Sequence, residues 1–197
     1  MLRSVLRELA GGTADLCEEA EHYVRILDGD ASIADYTRYL RTMHGFFAPI
    51  EAVFARDAAL VAAEFDAPRR CVKSGWIRED LRVLGDLDEP PACELLPHAT
   101  SLTRMLGVAY VLERSTLDSR SSLPVLALLR GTATRYLDGY GKDTNPLWRA
   151  FGDIVAHEIT SPIDEASAVH AARETYTHLI GWLARFEQRR VGFAVAS

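Results

Sequence analysis

The hydrophobic pattern of the chain is organised around one long apolar segment, residues 102–117, which predicts a helix at the centre of a bundle. The segment reads LTRMLGVAYVLERSTL and is apolar on nearly every side, with charged residues toward its end. A helix that is apolar all round is buried among other helices. At 3.6 residues per turn, one stripe of this helix carries small or apolar residues and then a pair of opposite charges at i, i+4 spacing. The stripe consists of Gly107, Tyr110 and Val111, followed by Arg114 and Asp118. We expect a ligand or another helix to lie against this stripe.

Apolar positions also recur at helical spacing in the first half of the chain, and strand-type alternation is absent from the sequence. A first helix is predicted over residues 12–27, and the amphipathic stretch 1–10 precedes it. The second helix begins with Ser32 as its N-cap and carries Pro49, which predicts a kink. A further helix follows in KSGWIREDLRVLGD, where Gly85 marks its end.

Turn and capping signals divide the second half of the chain into further helices. They predict a turn at 119–124, a short helix at 123–129, a helix end at Gly139 and Gly141, a helix opened by Asn145-Pro146, and a last long helix over 163–190. About seven helices with short joins predict an all-α, single-domain helical bundle that covers residues 1–197.

The composition then narrows the classes of function. The chain has 197 residues, of which 48% are hydrophobic and 25% charged, as in an ordinary globular domain with a sizeable core. Its net charge is -6 and its basic residues are scattered, so neither nucleic acid nor an anionic membrane surface is an expected partner. The sequence has no signal-peptide pattern and no apolar run near the ~20 residues that span a membrane. We therefore expect a cytoplasmic protein.

The common reactive motifs are absent from the sequence. The cysteines Cys17, Cys71 and Cys93 are odd in number and lack metal-finger spacing, which indicates neither a disulfide framework nor a zinc site. His170 and His178 lie two turns apart, but no carboxylate stands at ligand spacing beside them. No nucleophile motif, phosphate-binding loop or HExxH helix occurs.

Several segments match, in order, the motifs of one known protein family. The first two helices match at Leu9, Thr13, Cys17 and Glu21, and at Phe47, Pro49, Ile50 and Glu51. The motif W-[LI]-x-x-D-L-x-x-L-G is intact from Trp76 to Gly85. The later matches are Gly107, Tyr110, Val111, Glu113, Tyr140, Gly141, Trp148, Phe151, Ala172, Tyr176 and Trp182. On these residues the chain resembles the heme oxygenase family, in particular its bacterial, biliverdin-producing, bacteriophytochrome-associated branch.

The resemblance implies a helical fold in which heme lies between the first and central helices and is cleaved, with O₂ and reductant, to biliverdin, CO and iron. It implies a neutral imidazole on the iron, oriented by a carboxylate one turn later. It also implies distal glycines that let the backbone approach the porphyrin closely. We expect Asp80 and Glu113 to have structural roles, capping or pairing within the bundle.

The axial position holds Cys17 where the family has histidine, although Glu21 keeps the carboxylate one turn later. A thiolate can bind ferric heme, so Cys17 is a candidate metal ligand. A nearby carboxylate raises the pKa of a thiol, however, and makes it a worse ligand. His22 is the nearest imidazole, but five residues are about 140° around a helix, which points it away from the pocket. Alternatively, Cys17 is a small buried core residue.

The distal glycines of the family motif are also replaced, by Arg114, Asp118 and Ser119. One interpretation of Arg114 and Asp118 is a helix-surface ion pair worth ~0.3 kcal/mol. The other is that Arg114 binds an anionic group such as a tetrapyrrole carboxylate. The candidate cofactor site therefore consists of Cys17, Glu21, Gly107, Tyr110, Val111, Arg114 and Asp118.

These departures leave three functional hypotheses. The first is a heme-oxygenase-like protein that has lost heme cleavage and binds a tetrapyrrole or a protein partner, such as a sensor or signalling protein; the loss of the axial histidine and three glycines favours it. The second is an active heme oxygenase in which Cys17 is an atypical iron ligand. The third, a thiaminase-II-like relative that uses cysteine chemistry, is disfavoured by the oxygenase-type motifs. Heme is thus a candidate cofactor that the substitutions disfavour.

Overall fold

The described part of the chain is built from helices. The computed structural model describes residues 5–24, 31–57, 65–122 and 133–195. The helices are α1 (Val5–Glu21), α2 (Ile33–Arg56), α3 (Ala67–Arg70), α4 (Lys73–Val83), α5 (Leu102–Ser122), α6 (Arg135–Asp138), α7 (Thr144–Glu158) and α8 (Pro162–Val195), with a 3₁₀ turn at Gly141–Asp143. Within these ranges there is no strand, so the predicted all-α class is confirmed.

Local signals in the sequence set several of the observed boundaries. Ser32 caps α2: its hydroxyl accepts from the backbone N–H of Asp35 at 3.2 Å, and the Asp35 carboxylate accepts from the backbone N–H of Ser32 at 3.0 Å. Gly85 and Gly139 follow α4 and α6 with φ of 80° and 58°, left-handed conformations that favour glycine. These predicted boundaries are confirmed.

The first helix differs from its prediction at both ends. α1 begins at Val5, continues through Gly11-Gly12 and ends at Glu21, not near residue 27. Gly12 lies where α1 crosses α8, and a Cβ there would stand only 2.6 Å from Cγ1 of Val169, so the glycine serves close packing. After Glu21 the backbone N–H groups of His22 and Tyr23 bond three residues back, which tightens and closes the helix.

The central helix also extends beyond its predicted end. α5 is helical to Ser122, so the expected turn at 119–124 is wrong for residues 119–122. Since Ser119 is buried and its hydroxyl donates to the hydroxyl of Tyr136 at 3.3 Å, tertiary contacts support helix at this position. The predicted helix at 123–129 lies outside the described residues.

Helix α8 is the packing partner of both α1 and α5. Its inward face consists of small and apolar residues, all buried: Ala168, Ala171, Ala172, Thr175, Leu179, Trp182 and Leu183. At Gly107 of α5, a Cβ would overlap the carbonyl oxygen of Ala168. The absence of a side chain there allows the two backbones to approach closely.

A buried polar cluster surrounds the carboxylate of Glu113 on α5. The Glu113 carboxylate pairs with Nη1 of Arg70 at 2.8 Å and with Nζ of Lys73 at 3.4 Å, and it accepts from the Tyr140 hydroxyl at 2.8 Å. Asp80 accepts from the first backbone N–H groups of α6. The predicted structural roles of Asp80 and Glu113 are thus confirmed.

None of the helices in the described ranges is both long and apolar enough to cross a membrane.

Candidate functional site

A cavity of about 300 Å³ lies where α1, α2, α5, α6 and α8 converge. The first and central helices therefore face each other across a common space. The walls are mostly apolar or aromatic, and the described lining residues are Cys17, Ala20, Glu21, Val24, Tyr39, Met43, Ser115, Asp118, Ser119, Tyr136, Leu137, Tyr176, Leu179 and Leu183.

Cys17 lies on the α1 wall of the cavity and is half-buried. Its Sγ is 3.9 Å from Oε1 of Glu21, one helical turn further along. Burial raises the pKa of the Cys17 thiol above its ordinary value; a hydrogen bond with Tyr176 opposes this shift, and the carboxylates of Asp118 and Glu21 add to it. The thiol is therefore protonated at neutral pH, which makes it a weak nucleophile and a weak metal ligand.

The tyrosine hydroxyls around the cavity are also neutral. Burial raises the pKa of Tyr39, Tyr136 and Tyr176. The ring centroids of Tyr39 and Tyr136 lie 6.3 Å apart, and the Ser119 hydroxyl donates to that of Tyr136. Because the thiol and the phenols are uncharged, the formal charges on the described cavity wall at neutral pH are those of Glu21 and Asp118.

Arg114 and Asp118 form the ion pair expected from their i, i+4 spacing. Nε of Arg114 donates to Oδ1 and Oδ2 of Asp118 at 3.0 and 2.9 Å, and the two side chains are 35% and 40% exposed. At this exposure the pair is worth only a few tenths of a kcal/mol, about 0.3–0.5. Asp118 lines the cavity whereas Arg114 does not, so the guanidinium stands beside the cavity and neutralises one wall carboxylate.

The remaining residues of the predicted site lie in helix contacts. Gly107 packs against α8, Val111 is buried, and the ring centroid of Tyr110 lies 6.0 Å from that of Trp148. None of Gly107, Tyr110 and Val111 is among the described lining residues. The structure thus brings Cys17, Glu21 and Asp118 together at the cavity and places the apolar part of the α5 stripe against neighbouring helices.

Several lining residues escaped the sequence analysis. Tyr39 and Met43 come from α2, Tyr136 from α6, and Leu179 and Leu183 from α8. Each sits on an amphipathic face, and helical spacing does not distinguish a cavity wall from the packed core. The sequence did give a signal for Tyr176, which belonged to the motif set, and for Ser119, which stands where the family motif has a glycine.

The described lining residues of the cavity do not provide the iron ligand that the resemblance implies. Proteins hold heme iron with imidazole, thiolate, thioether or phenolate groups. The described lining residues include no histidine, the Cys17 thiol and the tyrosine phenols are protonated, and the thioether of Met43 is the donor that needs no deprotonation. The described residues also contain no group of three or more His, Cys, Asp or Glu side chains that could hold a metal ion. The residues present thus do not fit heme held by a neutral imidazole from α1.

Comparison with known proteins relates the chain to solved structures. No family model matches it, and no curated protein matches it. The heme oxygenase of Neisseria meningitidis, solved with NO and CO bound, superimposes with a TM-score of 0.77 at 19% identity, covering 93% of this chain and 92% of that one. The heme oxygenase of Leptospira interrogans gives 0.69 at 15% identity, covering 92% and 99%. The protein therefore has the heme oxygenase fold, which confirms the fold that the motif set implied.

Proposed function

We propose that this protein binds a ligand in the cavity between α1 and α5 and does not cleave heme. The observation that carries the proposal is the state of Cys17: where the resemblance implies an imidazole on iron, a protonated thiol lies beside Glu21, on a cavity wall that also includes Asp118. Such a group donates poorly to iron.

The fold by itself suggests a tetrapyrrole as the ligand class, whereas the volume of the cavity favours a smaller ring compound. Two solved heme oxygenases share the fold, and the cavity walls are apolar and aromatic, as for ring ligands generally. A volume of about 300 Å³ is at the lower end for small-molecule pockets, so a whole macrocycle requires side chains at the rim, such as Asp118 and Arg114, to turn aside. The sensor or signalling protein expected from the sequence stays a prediction.

Hemin provides the direct test. We expect purified protein, mixed with hemin and then with ascorbate or another reductant, to produce no stoichiometric biliverdin in its absorption spectrum. Conversion of hemin to biliverdin by the unmodified protein would overturn the proposal and establish the alternative, an active heme oxygenase with an atypical ligand.

A gain-of-ligand variant makes the test sharper. Cys17→His places an imidazole on the cavity wall beside Glu21. The triple variant Cys17→His/Arg114→Gly/Asp118→Gly also removes the two charged side chains of α5, so that a porphyrin has more room. We expect each variant to gain an imidazole-type Soret band with hemin that the parent protein lacks. Cys71→His, at a half-buried thiol that is not among the described lining residues, is the matched control and should gain none.

A further inference from the structure

The charges on the described cavity wall do not complement those of heme. Heme carries two propionates, and carboxylates are matched by Arg or Lys. The described lining residues include no Arg or Lys, and the wall charges are the carboxylates of Glu21 and Asp118. Arg114, beside the cavity, already donates to both oxygens of Asp118. A ligand carboxylate inside this cavity would therefore lose water and meet like charge.

The aromatic side chains favour the opposite charge. The rings of Tyr39, Tyr136 and Tyr176 line the cavity, and the faces of such rings attract cations. Their hydroxyls stay neutral because burial raises the pKa of each phenol, so they add hydrogen-bonding capacity without charge. Glu21 is exposed at the α1 edge of the cavity, where its carboxylate can accept from a ligand N–H.

The apolar wall and the volume limit the size of the ligand. Ala20, Met43, Leu179 and Leu183 offer an apolar surface for a ring, and about 300 Å³ accommodates one or two fused rings more readily than a porphyrin. Resting on the proposed ligand binding but not on the tetrapyrrole as its ligand class, we infer that this cavity takes a small apolar ring compound bearing a protonated amine, with the ring against the apolar wall and the ammonium group toward Glu21.

Two probes of nearly equal shape and opposite charge test the inference. They are 2-(1-naphthyl)ethylamine, a cation at pH 7, and 1-naphthylacetate, an anion, each titrated into the full chain by isothermal calorimetry. We expect the cation to bind at least about tenfold more tightly, as charge-assisted hydrogen bonding requires. Equal affinity, or tighter binding of the anion, would overturn the inference.

Charge variants locate the source of the preference. Glu21→Gln should reduce the cation-to-anion ratio to less than about threefold, whereas Glu19→Gln, an exposed carboxylate of α1 that is not among the described lining residues, should preserve it. The double variant Arg114→Gln/Asp118→Asn removes a carboxylate that Arg114 already neutralises, so it should preserve the ratio. An unchanged ratio in Glu21→Gln would contradict the inference.

A blocking variant separates this inference from the proposed function. Ala20→Phe fills the cavity from α1, and circular dichroism checks that the protein remains folded. If the probes bind without charge preference and Ala20→Phe abolishes their binding, the inference fails while the binding function stands. If neither the probes, hemin nor biliverdin binds the folded parent protein, both fail.

Discussion

Sγ of Cys17 lies 3.9 Å from Oε1 of Glu21, so the residue that stands where the heme oxygenase motif has histidine has a carboxylate beside it. Burial is the main reason that the pKa of the Cys17 thiol is raised, and the carboxylate that would orient an imidazole adds to this shift because a thiolate beside it would suffer like-charge repulsion. Replacing histidine while retaining glutamate therefore changes a ligand-orienting pair into a pair that disfavours metal binding.

This relationship predicts the reactivity of the thiol. Glu21→Gln should lower the pKa of Cys17 and raise its rate of alkylation by iodoacetamide at pH 8 about two- to fivefold, since a unit charge at this distance is worth about 1 kcal/mol in a water-like environment. Mass spectrometry of Cys17 alkylation against pH measures the effect. Glu19→Gln is the control, and a slower reaction in Glu21→Gln would contradict the assignment.

Two adjacent arginines, Arg69 and Arg70, allow an exposed ion pair to be compared with a buried one. Arg70 is 2% exposed and pairs with Glu113, whereas Arg69 is 52% exposed and pairs with Asp143. Arg70→Met leaves Glu113 with one fewer cation in the interior and should lower the free energy of unfolding by about 3–5 kcal/mol. Arg69→Met should change it by about 0–1 kcal/mol. Urea unfolding of both variants provides the comparison, and similar losses would show that the buried cluster is not a main support of α5.

Two glycines in different surroundings should respond in opposite ways to an added methyl group: Gly107 lies in the contact between α5 and α8, and Gly75 lies in α4 with open space around it. A Cβ at Gly107 would overlap the backbone carbonyl of Ala168, whereas a Cβ at Gly75 of α4 meets nothing within 4 Å. Gly107→Ala should destabilise the protein by about 1–3 kcal/mol because the helices must move apart. Gly75→Ala should stabilise it by roughly 0.5–1 kcal/mol through helix propensity. Thermal unfolding distinguishes the two, and a neutral Gly107→Ala would refute the close approach.

His44 predicts a loss of stability in mild acid. It is buried, and its Nε2 lies 3.4 Å from Nη2 of Arg78. Burial lowers the pKa of His44 below its ordinary 6.5; Arg78 and Arg41 lower it further, and Glu89 opposes them. The unfolded chain then binds a proton near pH 6.5 that the folded protein takes up only at lower pH, so stability should fall as the pH drops below about 6.5.

Substitution identifies the contribution of this imidazole. In His44→Gln the urea midpoint should vary less between pH 7 and pH 5 than in the parent protein. His157→Gln, which removes an imidazole that is 84% exposed, should retain the parent's pH dependence. An unchanged profile in His44→Gln would assign the acid sensitivity to other groups.

The sequence by itself determined those features that depend on neighbouring residues. The capping box of Ser32 and Asp35, the helix stop at Gly85, the inward face of α8 and the proximity of Cys17 to Glu21 all arise from interactions within about four residues, where side-chain chemistry and helical spacing are sufficient. The motif order also indicated the fold that the solved heme oxygenases confirm.

Only the tertiary structure decided which faces of the helices pack against each other. α1 runs through Gly11-Gly12 because Val169, far along the chain, packs there, and Gly107 serves the crossing with Ala168 rather than the cavity wall. The cavity joins side chains from five helices, and its charge balance depends on Asp118 lining it and Arg114 standing beside it. Periodicity identifies a buried face of each helix, but the partner of that face is chosen by packing of the whole chain, because close-packed surfaces accept only a few arrangements.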